Sequence, residues 1–170
     1  MVAKQRFDAK RVALLSLLTA MCYVGRIIFQ FLPNVQPMTA ILIILTLHLS
    51  IVDGLIVASL SLVLSNFLLG MGPWTFMQLA SFSVLILLTG IVMKPLYPQH
   101  SRWIFVIFSF LSGMLYGFVI SLMNVQFYGI ASFWGYYFYG LPFDFAHALG
   151  TAGFYLLLEP VLAKLFKKAL

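Results

Sequence analysis

Residues 103–124, which read WIFVIFSFLSGMLYGFVISLMN, decide the fold class of this chain. The stretch contains no charged side chain and is long enough to cross a bilayer as one α-helix, which needs roughly 20 mostly apolar residues. The rest of the chain has the same character, because 63% of its 170 residues are hydrophobic, only 8% are charged and the mean hydropathy is +1.06. Soluble domains carry about a quarter charged residues. The composition therefore excludes a soluble fold and predicts an integral membrane protein.

Proline, glycine and charged residues divide the sequence into six apolar stretches. We expect an all-α membrane protein in which residues 1–170 form a single domain, a bundle of six transmembrane helices. The second and third stretches, separated by a turn at Asp53 and Gly54, are short for full spans, so a partly re-entrant pair is the alternative. The expected helices lie near 11–32, 37–52, 54–70, 75–97, 103–124 and 141–166.

The positions of the lysines and arginines predict the orientation. With six spans, the N-terminal segment, the connection between the fourth and fifth helices and the C-terminal segment fall on one side of the membrane. The three opposite connections contain no lysine or arginine, so the positive-inside rule places both termini in the cytoplasm. The net charge of +6 therefore reflects topology, and we expect no nucleic-acid partner. The cations of these three segments are Lys4, Arg6, Lys10, Arg11, Lys94, Arg102, Lys164, Lys167 and Lys168.

Arg26 is the most informative polar residue of the first predicted helix. It lies about six residues before the outer end of that helix, which is roughly 9 Å along the axis. An intramembrane arginine usually faces the bundle interior and pairs with another group or with a substrate. Gln30 and Asn34, at i+4 and i+8, share its helical face, and this alignment favours an inward polar stripe over snorkelling of Arg26 to the headgroups.

A second polar stripe is expected at the outer start of the sixth helix, where Asp144 and His147 stand at i and i+3. Three uses of Asp144 are open: an ion pair with Arg26, a helix cap and a contact with ligand. A His/Asp pair can also bind metal, but a complete site needs more ligands. His48 and His100 are predicted near the inner side, so we expect no metal site.

Three outer connections, 33–37, 70–75 and 124–144, hold most of the polar and aromatic content. Tryptophan and tyrosine also favour the headgroup level, so interfacial and ligand roles are about equally supported for the aromatic residues of the third connection. Polar side chains of several helices converge only near the outer ends of the helices, so we place a substrate beneath these three connections. The substrate-binding candidates are Arg26, Gln30, Asn34, Gln36, Trp74, Gln78, Asn124, Tyr128, Trp134, Tyr137, Asp144 and His147.

No enzyme signature is present in the sequence. It contains no G-x-x-x-x-G-K-[ST] phosphate loop, no HExxH and no G-x-S-x-G. Its four acidic residues are spread over both membrane sides, which disfavours a paired-carboxylate hydrolase. We expect no catalytic residue, no cofactor and no ATPase site. Gly113 and Gly117 instead form a small-residue pair, which predicts close helix packing.

Together these features resemble a known family, the six-helix substrate-binding (S) components of energy-coupling factor (ECF) transporters, which import vitamins in prokaryotes. The resemblance covers essentially the whole chain. It rests on residues 13–20, ALLSLLTA, on residues 33–37, PNVQP, and on residues 70–75, GMGPWT, before a helix that contains Gln78.

This resemblance implies a subunit that binds a water-soluble vitamin within the lipid bilayer of the prokaryotic cytoplasmic membrane. It also implies association with a transmembrane coupling subunit and two cytoplasmic ATPase subunits. Family members often carry an Ala-x-x-x-Ala motif in the first helix that contacts the coupling subunit, and its nearest match here is Ser16 with Ala20.

Two vitamins are the leading candidates. Arg26 suits a carboxylate such as that of pantothenate, because a guanidinium gives charge-assisted hydrogen bonds in a dry pocket. The aromatic segment 127–139 suits a large planar ligand such as cobalamin, through stacking area. Outside this family, a self-sufficient small transporter or channel is the main alternative, and a membrane enzyme or assembly factor is a further one. An internal inverted repeat would favour the first alternative, and the sequence shows none.

Overall fold

The computed structural model describes residues 8–97 and 99–169, and within these ranges the chain is an all-α bundle without strands. The fourth helix continues through a π-helical turn, Thr89–Met93, and a 3-10 turn, Lys94–Leu96. The prediction of six helices in an all-α fold is confirmed. The helices are α1 (Ala9–Ile28), α2 (Met38–His48), α3 (Ile51–Leu69), α4 (Trp74–Leu88), α5 (Arg102–Tyr128) and α6 (Phe133–Ala169).

The short helix α2 forms the centre of the bundle. All residues from Met38 to Leu47 are buried, as expected of a helix that is apolar on every face and packed against neighbours all round. Its 11 residues extend about 16 Å, roughly half the thickness of the hydrocarbon layer. In the described ranges, five other helices are long and apolar enough to cross a membrane. The fold therefore has five candidate spans around one short core helix, where the sequence predicted six spans.

Side-chain contacts show how the helices alternate in direction. Arg11 near the start of α1 pairs with Asp53 near the start of α3. Arg26 near the end of α1 donates a hydrogen bond to Asn66 near the end of α3. The two helices therefore run parallel, with α2 returning between them. We call the end that contains Arg11 the basic end and the end that contains Arg26 the cavity end.

The basic end is closed by ionic and capping contacts. The guanidinium of Arg11 donates to both carboxylate oxygens of Asp53 at 2.7 Å. The Ser50 side chain caps α3 by accepting a hydrogen bond from the backbone N–H of Asp53. Asp53 thus lies in the first turn of α3, and the predicted turn at Asp53 and Gly54 is wrong because α2 already ends at His48.

Arg102, also at the basic end, compensates for a proline inside α6. Pro160 has no backbone N–H, so the carbonyl of Leu156 one turn earlier lacks its helical donor. The guanidinium of Arg102 donates a hydrogen bond to that carbonyl and lies 3.8 Å from the carboxylate of Glu159. The Tyr97 hydroxyl donates to the same carboxylate at 2.7 Å. Arg11 of the N-terminal segment and Lys94 and Arg102 of the connection between the fourth and fifth helices thus lie at this end, as the sequence predicts. Lys4 and Arg6 lie outside the described residues.

The outer surface of the bundle is apolar. Large side chains such as Phe67 and Phe76 are 74% and 76% exposed, and others of this kind occur on α1, α5 and α6. A soluble monomer rarely exposes such an area of apolar surface. Hydrocarbon chains of lipids are the environment that this surface fits.

Two predicted helix boundaries are wrong. α1 ends at Ile28 instead of near residue 32, and the chain then turns, with Leu32 N donating to Phe29 O at 2.9 Å. Pro33 and Pro37 have no N–H to continue a helix through this segment. α6 begins at Phe133 instead of near residue 141, so the long third connection is reduced to residues 129–132. In lipid, a helix satisfies its backbone groups internally, and this outweighs the glycines and Pro142 of the segment.

Candidate functional site

Two adjoining cavities lie at the cavity end of the bundle. The first, which we call the Arg26 cavity, has a volume of about 330 Å³, and the second, the Asp144 cavity, of about 370 Å³. Asn34, Gln78 and Tyr116 line both of them. Small-molecule sites typically enclose about 300–1,000 Å³, so each cavity lies at the lower end of that range.

The Arg26 cavity contains a buried cation whose partners are neutral. Arg26 is 7% exposed, and its Nη2 donates to Oδ1 of Asn66 at 3.2 Å while Nη1 lies 3.8 Å from the sulfur of Met38. Its Nε has no hydrogen-bond partner among the described residues, and no carboxylate in those ranges forms an ion pair with it. A guanidinium in this state offers charge-assisted hydrogen bonds to an anionic group.

Asn66 connects Arg26 to α4. Its Nδ2 donates to Oγ1 of Thr75 at 2.9 Å and to Oε1 of Gln78 at 2.9 Å, while its Oδ1 accepts from Arg26. The carboxamide of Asn66 therefore joins α1, α3 and α4 at the cavity. The side chain of Gln78 is thus held by Asn66 through Oε1, and it also forms a hydrogen bond with Tyr116.

Asn34 fixes the turn between α1 and α2 onto α6. Its φ of 60° lies in the left-handed region, which asparagine tolerates better than most residues. Its side-chain Nδ2 donates to the carbonyl of Phe143 at 3.1 Å, and its own carbonyl accepts from Nδ1 of His147 at 3.0 Å. The turn is thereby held over both cavities, with Gln30 and Gln36 in the lining of the Arg26 cavity.

His147 contacts residues of the site but lines neither cavity. Because a carbonyl only accepts, Nδ1 carries the proton that is donated to Asn34, and Nε2 accepts from the hydroxyl of Thr39 at 2.9 Å. The imidazole also stacks on Tyr116, with ring centroids 4.9 Å apart and 10° between the planes. Both ring nitrogens are thus used within the protein, so His147 positions Asn34 and Tyr116. Within the described ranges, no group of three His, Cys, Asp or Glu residues could hold a metal ion.

The Asp144 cavity contains a buried carboxylate. Asp144 is 6% exposed, and its carboxylate lies so close to Gly117 that a Cβ at that position would overlap it. Its Oδ2 is buried without a hydrogen-bond partner among the described residues. As an ionised carboxylate it only accepts hydrogen bonds, so it offers its oxygens to a donor in the cavity. Ser121, Tyr136, Tyr139 and Phe143 are among the other lining residues.

Two of the uses considered for Asp144 are wrong. It cannot cap α6, because that helix begins at Phe133, several turns before it. It also forms no ion pair with Arg26 in the part of the chain that the structure describes. The predicted stripe on the first helix needs correction too, since Gln30 and Asn34 follow the end of α1 and reach the cavity through the turn.

Five further predicted site residues line neither cavity. Trp74 packs over Gly72 at the start of α4, and Tyr128 contacts Phe127 at the end of α5. Asn124 donates to the hydroxyl of Tyr136 at 3.2 Å in an exposed position. Trp134 and Tyr137 pack against other rings of α6, namely Phe133 and Phe138.

Several residues of the site were not predicted from the sequence. Asn66 has the clearest signal, because it is an amide side chain near the end of an otherwise apolar helix. Ser121 lies one turn after Gly117 on the same face of α5, and Tyr116 directly precedes Gly117, so the small-residue pair was the available clue to this part of the helix. Tyr136 and Tyr139 belong to the aromatic segment, whose rings suit the membrane interface as well as they suit a ligand.

Small residues occur both at a contact between two helices and on the outer surface of the bundle. A Cβ at Gly113 would overlap the backbone of Ala148, so α5 and α6 approach closely within the chain, as predicted for Gly113 and Gly117. Ser16 and Ala20 are exposed on α1 and line a surface groove of about 510 Å³ with residues of α3.

The chain matches a family model described as "ECF transporter, substrate-specific component" over residues 10–169. No curated protein and no solved structure matches the chain. The family match covers both cavities, the turn between α1 and α2 and all six helices.

Proposed function

The chain belongs to the substrate-specific components of ECF transporters, and from that premise we propose that it captures a small water-soluble vitamin in the Arg26 and Asp144 cavities. The observation that carries the proposal is the buried guanidinium of Arg26, which faces a cavity and has neutral partners only among the described residues. Intramembrane charges of this kind mark substrate sites when the protein itself does not neutralise them.

The size and polarity of the cavities favour pantothenate over cobalamin. Pantothenate carries one carboxylate, which suits Arg26, and hydroxyl groups, which suit the polar lining around Asn34 and Asp144. Cobalamin carries a corrin macrocycle that needs more room than cavities of about 330 and 370 Å³. The rings of Trp134 and Tyr137, which were considered as a stacking surface for it, pack against their neighbours in α6.

Energy for import comes from other subunits in this proposal. The sequence has no phosphate-binding loop, so the chain binds its vitamin and depends on a transmembrane coupling subunit and two cytoplasmic ATPase subunits for transport. The groove beside Ser16 and Ala20 is the proposed docking face for the coupling subunit, since exposed small residues permit close helix approach.

The proposed orientation places the basic end in the cytoplasm and the cavity end outside a prokaryotic cell membrane. Arg11, Lys94 and Arg102 lie at the basic end, and the positive-inside rule assigns such an end to the cytoplasm. The cavities then face the medium from which a vitamin is taken up.

Calorimetric titration of the purified protein in detergent tests this function. We expect saturable binding of pantothenate, and cyanocobalamin should give weaker binding or none. Liposomes that contain only this chain should not accumulate the vitamin on addition of ATP. Lack of binding by every water-soluble vitamin tested, or ATP-driven uptake by this chain alone, would contradict the proposal.

A further inference from the structure

We propose that the two cavities select a ligand that is anionic at one end and donates hydrogen bonds at the other, an inference that rests on the proposed function. It defines the substrate class by charge and donor pattern. The anionic group occupies the Arg26 cavity, and the donor groups, hydroxyl or N–H, occupy the Asp144 cavity.

The first part follows from the state of Arg26. A buried guanidinium is strongly disfavoured unless a counter-charge and hydrogen bonds compensate for its lost hydration. Within residues 8–97 and 99–169 it has one hydrogen bond to an amide, one weak contact to a thioether and a buried Nε without a partner. The compensation is therefore incomplete in the protein alone, and an acid group of a ligand completes it.

The second part follows from the state of Asp144. Asp144 is buried, and its Oδ2 has no hydrogen-bond partner in the described part of the chain. Gly117 leaves room for the carboxylate against α5, and both residues line the Asp144 cavity. A ligand group that only accepts hydrogen bonds would repel this carboxylate, whereas hydroxyl, amide or ammonium groups satisfy it.

The two charges are kept apart by the residues that the cavities share. Asn34, Gln78 and Tyr116 line both cavities, and their positions are fixed by Phe143, Asn66 and His147 respectively. Arg26 and Asp144 consequently do not neutralise each other, and a single ligand that extends past these three side chains meets both. A ligand with an acid group at each end is excluded because one of them would face Asp144.

Pantothenate and its alcohol, pantothenol, are matched probes for the anionic end, because they differ only in the carboxylate. The wild-type protein should bind pantothenate about tenfold or more tightly than pantothenol, as expected for a charge-assisted hydrogen bond. Arg26→Gln should bring this ratio close to one. Asp144→Asn should weaken both probes by a similar factor, because the hydroxyl groups that it faces are common to both.

Thermal unfolding of the ligand-free variants provides a readout that does not depend on the probe. Arg26→Gln and Asp144→Asn should unfold at or above the wild-type temperature, because each removes a buried charge that the protein leaves uncompensated. Arg11→Gln is the matched control on the same helix, and it should unfold earlier because Arg11 is paired with Asp53.

An unchanged pantothenate-to-pantothenol ratio in Arg26→Gln would overturn this inference, as would tight binding of a vitamin whose affinity neither variant alters. In both cases the vitamin-binding function itself would stand. If the wild-type protein binds no vitamin, the proposed function fails, and the unfolding temperatures then decide the inference. A fall in the unfolding temperature of Arg26→Gln as large as that of Arg11→Gln would overturn it.

Discussion

Arg26 and Asp144 lie buried at the same end of the bundle, and within the described residues they form no ion pair with each other. Arg11, at the other end of the helix that carries Arg26, donates to both oxygens of Asp53. One helix thus holds a buried arginine that the protein neutralises and a second whose contacts are neutral. This difference separates a structural ion pair from a site that a ligand completes.

An acidic neighbour for Arg26 should block the site. Asn66→Asp places a carboxylate where the amide oxygen now accepts from Arg26 at 3.2 Å, so the variant supplies an internal counter-charge. We expect pantothenate to bind about tenfold or more weakly, by loss of its charge-assisted hydrogen bonds. Titration calorimetry measures this effect, and pantothenol serves as the control because it should be nearly unaffected. Unchanged pantothenate affinity would show that Arg26 does not face the acid group.

A methyl group at Gly117 should displace Asp144. The Cβ of Gly117→Ala overlaps the present position of the carboxylate, which can move because it is the end of a side chain. Affinity for pantothenate should fall while the unfolding temperature changes little. Gly153→Ala is the matched control on α6, because a Cβ there meets no atom within 4 Å, and it should be neutral or stabilise by about 0.5–1 kcal/mol. Full affinity in Gly117→Ala would argue against a ligand contact at Asp144.

Removal of the carboxylate at the basic end should destabilise the fold without touching the site. Asp53→Asn removes the carboxylate to which the buried guanidinium of Arg11 donates, and breaking such a buried pair costs about 3–5 kcal/mol. Thermal or chemical unfolding in detergent measures the loss, with the exposed Lys164→Ala as the control that should behave as wild type. If Asp53→Asn is as stable as the parent, the ion pair does not support the fold.

Labelling of intact cells with a membrane-impermeant thiol reagent tests the orientation. On a Cys22→Ala background, Ser132→Cys lies in the exposed connection between α5 and α6 at the cavity end and should react. Lys164→Cys, near the basic end, should react only after the membrane is made permeable. The reverse pattern would place the cavities on the cytoplasmic side and exclude capture from the medium.

The sequence was sufficient to predict the class of fold and part of the site. Long apolar stretches predicted α3, α4 and α5 closely, because a segment in lipid must form its backbone hydrogen bonds within itself. Arg26 was identified as an intramembrane charge, Asp144 by its polar stripe with His147, and Gln78 by its place beneath an outer connection. All three line the cavities.

The other features of the site and the fold depend on contacts between different helices, which spacing along the sequence does not predict. Gln30 and Asn34 were placed beside Arg26 by helical spacing, but they reach the cavity through a turn that is held by α6. Asn66 is joined to Arg26 across two helices, and no spacing rule relates positions in different helices. α2 lies at the centre of the bundle because the other helices bury it. Its apolar sequence is compatible with this position, but an apolar helix facing lipid would have the same sequence.

The most direct test of the account compares the small molecules that co-purify with the wild-type protein and with Arg26→Gln. Mass spectrometry of the released material identifies the ligand without any prior choice of probe. The account predicts a vitamin with an acid group and hydroxyl or N–H donors in the wild-type sample, and at least about tenfold less of it in Arg26→Gln. Equal amounts of the vitamin in both samples would contradict the account, and so would a wild-type protein that carries no vitamin after expression in vitamin-rich medium.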